Sequence, residues 1–243
     1  MTTFRIKIEH DDNPESPRQW DNLGTMVCWH GKYKLGDEQP RGDEHEYLLT
    51  LAEKVKPGTA QRWERWVEKY PYPRDRQEWK DFEYDRDKHW SKLVQPILDK
   101  HIIELPLFLY DHSGVTMSTG RFSCPWDSGK VGFIYVTVAK AKAIYGWKTK
   151  AEFNREKIEQ ILRREVQTYD DYLTGQVYGY EVEGWNGEDW EQVDSCYGFY
   201  SYEDAPGSMA DLLDSEYGIT LEVIEHAMRS VGEWTTTESG ARQ

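Results

Sequence analysis

The densest run of side chains able to do covalent chemistry lies between Asp111 and Gly129. There His112, Ser113, Ser118, Thr119, Ser123, Cys124, Asp127 and Ser128 fall in turn-like sequence beside apolar runs. A cysteine becomes a nucleophile when a neighbouring imidazole takes its proton, and a carboxylate can hold that imidazole in orientation. Cys124 as nucleophile, His112 as base and Asp127 as the orienting acid form such a set, with His30 and Asp111 as substitutes for the last two roles. It would suit a hydrolase or transferase acting on a small group. The same residues also spell a structural loop. Asp-His-Ser-Gly is ordinary turn chemistry, and residues 123–129 can lock a loop by side-chain to backbone hydrogen bonds, with Cys124 as a small apolar filler. The structural reading takes precedence, so a binding role is expected ahead of an enzymatic one.

A second cluster lies between Gly175 and Tyr200. Glu181 and Glu183 alternate with Tyr180 and Val182, so a regular strand places both acids on one face. Glu188, Asp189, Glu191 and Asp194 follow in the same segment, interleaved with Trp185, Trp190, Tyr197 and Tyr200. Carboxylates mixed with rings suit a surface that receives lysine and arginine side chains. These six acids are the expected partner-binding residues.

Other fragments are weaker. Glu78-Trp79-Lys80 preceded by Asp75, and Asp85-x-Asp87, carry the residue types of divalent-metal nucleases. Both sit in charge-dense helical sequence, where such triplets arise by chance. Cys28, His30, His112, Cys124 and Cys196 offer soft ligands for tetrahedral zinc, but Cys28-x-His30 is the one short-range pair among them. No metal and no cofactor is expected. GxGxxG, Walker A, HExxH, GxSxG and CxxC patterns are absent from the sequence.

Charge narrows the partner. The net charge is −14, from 30 basic and 44 acidic residues. From Glu165 onward eighteen acids face only Arg229 and Arg242, a net of −16, which leaves +2 on the first 164 residues. An anionic block repels phosphates and anionic lipid and speeds association with a basic protein surface. A basic partner protein is therefore expected, without direct nucleic-acid or membrane binding. Mean hydropathy is −0.84, and no apolar run approaches the roughly 18 residues of a membrane span. The start MTTFRIKIEHDD lacks a signal-peptide pattern, and three cysteines without CxxC fit reduced thiols, so a cytoplasmic setting is expected. Eleven Trp and 16 Tyr exclude disorder for most of the chain.

The elements that position these clusters follow from periodicity. Residues 3–9 and 25–29 alternate as strands; 43–54, 59–70 and 75–100 have helical spacing, the last as one helix or two, with Thr59 as a cap. Ile102–Tyr110 is a strand with an edge or bulge at Pro106, Val115–Thr119 a short strand, and Val131–Val138 a strand covered on both faces. Short helix 139–145 precedes a long helix over about 150–171, capped by Thr149. Residues 176–183 and 191–200 form a hairpin on Asn186-Gly187. Helices capped by Ser208 and Thr220 close the fold, and 232–243 reads as a flexible tail. The expected class is α+β, a mostly antiparallel sheet with packed helices and a helical insertion near residues 43–100, in a single domain over 1–231.

The segments DNLGTMVCWH (21–30), YDHSGVTMSTGRFSCPWDSGKVGFIYV (110–136), YDDYLTGQVYGY (169–180) and DSCYGFY (194–200) resemble, in the same order, a family of proteins carried by bacteriophages and other bacterial mobile elements. The matching stretches cover about a quarter of the chain and leave out the helical region. The resemblance names no reaction. It implies a setting: an accessory protein in the cytoplasm of an infected bacterium, where an acidic protein can antagonise a host defence or nucleic-acid enzyme by occupying its basic surface.

Overall fold

Ile6 and Ile8 alternate with Arg5, Lys7 and Glu9, so the strand they form needs neighbours on its edges and a cover on one face. The computed structural model, which describes residues 3–124, 126–149 and 151–237, supplies both. The elements run β1 (Phe4–His10), β2 (Thr25–Cys28), α1 (Glu44–Val55), α2 (Thr59–Lys69), α3 (Arg76–Leu93), α4 (Gln95–His101), β3 (Ile102–Asp111) and β4 (Val115–Ser118). They continue with β5 (Ser128–Thr137), α5 (Val138–Tyr145), α6 (Arg155–Leu173), β6 (Val177–Trp185), β7 (Trp190–Tyr200), α7 (Ala205–Tyr217), α8 (Leu221–Met228) and β8 (Trp234–Thr236). The class is α+β, with two antiparallel sheets rather than one.

The chain folds as two compact units, each built from separated stretches. One takes the residues up to Trp20, Tyr110–Met117 and those from Val166 onward; the other takes Asp21–Leu109 and Ser118–Glu165.

In the first unit the strand order is β7-β6-β1-β8. β1 pairs antiparallel with β6, setting Arg5 opposite Glu183 and Lys7 opposite Glu181. Ile6, Ile8, Tyr178, Tyr180 and Val182 point the other way and pack with Met209, Leu213, Ile224 and Met228 of α7 and α8. Burying each such aliphatic side chain contributes about 1.5–3 kcal/mol. The expected fraying tail is corrected in part: Trp234–Thr236 pairs with β1 as an edge strand, while 238–243 lies outside the described residues. The β6–β7 turn is closed by Asn186, whose side-chain oxygen accepts from the Glu188 and Asp189 amides at 2.9 Å each. Gly187 follows at φ 105°, where a Cβ would be strained.

The second sheet has the strand order β2-β5-β3-β4; Tyr110–Met117, the end of β3 and most of β4, is grouped with the first unit. β5 is buried from Val131 to Val136, as its near-continuous apolar sequence requires. β3 lies between β5 and β4 in the sheet order and carries Pro106 within it. Residues 43–100 form α1 to α4, and Leu48, Leu51, Trp90, Val94, Ile97 and Leu98 pack with Val27, Phe133 and Tyr135 of the sheet. Asp43 and Asp75 cap α1 and α3, accepting from the amides of Glu46, and of Gln77 and Glu78. Thr59 is not a cap. It is the first helical residue of α2, fully buried, donating to the Lys56 carbonyl at 2.6 Å, while Gly58 takes the cap position at φ 84°. Likewise α6 starts at Arg155 rather than near 150, with the Asn154 side chain accepting from the Lys157 amide. α7 starts ahead of Ser208, at Ala205 behind Asp204.

Candidate functional site

The six acids expected to bind a partner do not share one face. Glu181 and Glu183 lie on the β6 face away from the helices, where β1 presents cations. Arg5 donates its Nε to Glu183 at 2.6 Å and pairs with it again through a terminal nitrogen. Its guanidinium sits 4.5 Å from the Trp190 ring centre and 4.4 Å from that of Trp234. Lys7 stands 2.5 Å from Glu9 and 3.8 Å from Glu181. That pair raises the Lys7 pKa and lowers that of Glu9, the hydrogen bond between them being the largest cause in each. Tyr197 donates to Glu9 at 2.9 Å and to Glu181 at 3.4 Å; burial first, and these carboxylates next, push its phenol well above its usual value. On this face Arg5 and Lys7 pair with the three carboxylates Glu9, Glu181 and Glu183, so most of the negative charge is offset within the sheet.

A register shift in the β6–β7 pairing sends the other strand acids elsewhere. Glu191 stands opposite Gly184 and Asp194 opposite Val182, positions that alternate with the Glu181–Glu183 face. Asp194 accepts from the Tyr180 hydroxyl at 3.1 Å. Glu191 is exposed and accepts from the Asn186 amide at 2.7 Å. Glu188 and Asp189 occupy the exposed turn. Across the last rung of the hairpin Trp185 and Trp190 meet edge to face at 5.4 Å, and Trp185 and Val193 remain exposed. Glu188 and Asp189 therefore sit in an exposed turn beside the Trp185–Trp190 pair, Glu191 follows in β7 on the face that Asp194 shares, and Glu181 and Glu183 lie on the opposite face.

In the 111–129 segment the Cys124 thiol donates to the Asp127 carboxylate at 3.5 Å, and the Ser128 hydroxyl donates to the Cys124 carbonyl. The partner seen is an acceptor carboxylate, not the imidazole that a thiolate–imidazolium nucleophile needs. Cys124 and Asp127 group with the second unit and His112 with the first. The His112 amide closes the turn onto the Gly114 carbonyl at 3.0 Å, and its ring lies 6.0 Å from that of Tyr110. Cys124 is half-buried, not sealed in the core.

The nuclease-like fragments have structural employment. Asp75 is a helix cap, Glu78 accepts from the Arg74 amide at 2.7 Å, Asp85 accepts from the Tyr70 hydroxyl at 3.1 Å, and Asp87 pairs with Arg86. Among the described residues no group of three or more His, Cys, Asp or Glu side chains is arranged to hold a metal ion. Among the same residues no helix is long and apolar enough to cross a membrane.

One cluster escaped the sequence reading. Trp63 and Trp66 lie three residues apart on one face of α2 and meet rings from α3. Rings run in contact from Tyr72 through Trp79, Phe82, Tyr70 and Trp66 to Trp63 and Trp90. His89 is stacked flat on Trp66 at 4.6 Å. The legible signal was a stripe on α3: Asp85, Lys88, His89 and Lys92 fall at i, i+3, i+4 and i+7, one helix face.

Comparison with protein-family models, curated proteins and solved structures finds no match for this chain.

Proposed function

We propose that this chain is an accessory protein of a bacteriophage or mobile element that works by protein binding, its β6–β7 tip engaging a basic surface on a host protein. One observation carries the reading: Glu188 and Asp189 lie in an exposed turn flanked by the Trp185–Trp190 pair, with the exposed Glu191 next to it at the start of β7. Carboxylates there reach arginine and lysine, and the exposed Trp185 indole adds flat apolar area and cation–π contact, Trp190 being engaged by Arg5. The remaining acids expected at the interface are spoken for by Arg5, Lys7 and Tyr180. A basic surface in a bacterial host commonly serves nucleic acid, so a defence or nucleic-acid enzyme is the fitting class of target. The resemblance to phage-borne proteins supplies the cytoplasmic setting.

The test uses the whole chain as bait in host lysate, beside a variant carrying Glu188→Lys, Asp189→Lys and Glu191→Lys. A host protein held by the wild type at low salt, released at high salt and not held by the variant supports the reading. Retention of the same protein by both baits, independent of salt, overturns it.

A further inference from the structure

A helix stripe that faces another helix normally carries aliphatic side chains, because the contact excludes water. On α3 the stripe facing α2 changes character along its length. Trp79 and Phe82 meet the rings of α2 and of the loop after it, as packing requires. One turn on, the same face carries Asp85, Lys88, His89 and Lys92. These line, with Trp66 and Tyr70 of the α2 end, an open cleft of about 290 Å³.

Three features of that cleft point to a ligand. The Nε2 of His89 is shut from solvent, with less than 1 Å² exposed, and has no hydrogen-bond partner. Leaving such a nitrogen buried and unpaired is unfavourable, and a bound acceptor would remove that cost. The imidazole packs against two neighbouring indoles of α2, 4.6 Å from Trp66 at 8° and 5.8 Å from Trp63 at 28°, and this ring contact fixes the plane of the imidazole. The charges that line the cleft are two ammoniums and one carboxylate, and Asp85, the carboxylate, is engaged by the Tyr70 hydroxyl at 3.1 Å.

We propose that the α2–α3 cleft binds the oxyanion of a small molecule, a phosphoryl or carboxylate group, held by the ammoniums of Lys88 and Lys92 and by a hydrogen bond from His89 Nε2. Lys88 and Lys92 line the same cleft and are exposed, so their long flexible stems let the ammoniums converge on an oxyanion that enters it. Burial and the Lys92 charge both disfavour the imidazolium, so in the empty cleft His89 is neutral at a higher fraction than a free histidine. An arriving anion reverses the Lys92 contribution and draws a proton to the ring.

The test is NMR of the full chain labelled with ¹⁵N, following the His89 imidazole nitrogens while sodium phosphate or sodium acetate is added, with sodium chloride as the control for ionic strength. The expected result is a saturable movement of Nε2 with phosphate, acetate or both, the stronger of the two identifying the ligand class. Lys88→Ala with Lys92→Ala should weaken that binding by about tenfold or more, as loss of charge-assisted contacts does. Both lysines are solvent-exposed, and a matched thermal melt shows that the variant is folded. Movement that does not saturate, that sodium chloride reproduces, or that survives unchanged in the double variant overturns the proposal.

Discussion

Arg5 and Glu183 stand opposite one another on β1 and β6, joined by an Nε–carboxylate bond of 2.6 Å although 178 residues separate them. Trp190 and Trp234 flank the guanidinium, so the pair is part-buried and fixed in geometry. Such a pair stabilises more than a free surface ion pair.

Arg5→Ala is expected to lower unfolding stability by about 2 kcal/mol, through lost ring contact as well as lost charge. Glu183→Lys should be at least as damaging, since it sets two cations together. Urea denaturation of both variants checks this. A neutral effect at either position would return Glu183 to the pool of free surface acids.

The hairpin tip should behave in the opposite way. Glu188→Lys and Asp189→Lys are expected to leave stability within about 0.5 kcal/mol, as exposed turn positions do. Their backbone amides, not their side chains, make the turn contacts with Asn186. Their effect belongs in the association rate with the partner, which should fall and lose its salt dependence when measured by surface plasmon resonance.

Asp171 sets a pH dependence. It is 4% exposed and accepts from the Gln167 side-chain amide at 3.2 Å. Burial raises its pKa, and the carboxylates of Asp170, Asp204 and Glu203 act in the same direction. With the folded pKa above the unfolded one, the folded state keeps a proton that the unfolded chain gives up. Stability from this group is therefore full below the unfolded aspartate value, about 3.9, and declines as pH rises through the raised value. Asp171→Asn cannot ionise. Its stability relative to wild type is expected to improve steadily as pH rises from about 4 to 7, read as urea midpoints. A difference that stays constant with pH would refute the assignment.

Gly132 tests the β2–β5 contact. It pairs with Cys28, and a Cβ there would collide with the Val27 carbonyl, which is backbone and has little room to give. Gly132→Ala is expected to cost about 2 kcal/mol or more, measured as a drop in melting temperature. Gly129→Ala, whose Cβ would meet open space, serves as the matched control.

Much of the architecture was legible from local pattern. Alternation at residues 3–9, the apolar run of β5 and the Asn186-Gly187 turn are short-range matters of periodicity and hydrogen bonding, and each of these elements formed where its residues called for it. Caps that depend on tertiary neighbours were harder. Thr59 looks like an N-cap, but Glu53 reaches across the α1–α2 turn to accept from the Gly58 and Ala60 amides, and that moves the cap to Gly58.

The candidate site was only half legible, for the same reason. A count along the chain places eighteen acids after residue 164, and that number is a property of the sequence alone. Which of them face solvent as free charges depends on strand register. Only when β1 joins β6 do Arg5 and Lys7 arrive opposite Glu183 and Glu181, and only the shift between Val182 and Glu183 turns Asp194 toward Tyr180. Coulomb attraction acts over a few ångströms of space, whatever the separation along the chain. The sequence by itself determined the elements, their amphipathic faces and the total charge. Tertiary pairing alone decided which charges cancel, which remain at the Trp185–Trp190 tip, and that His89 meets Trp66.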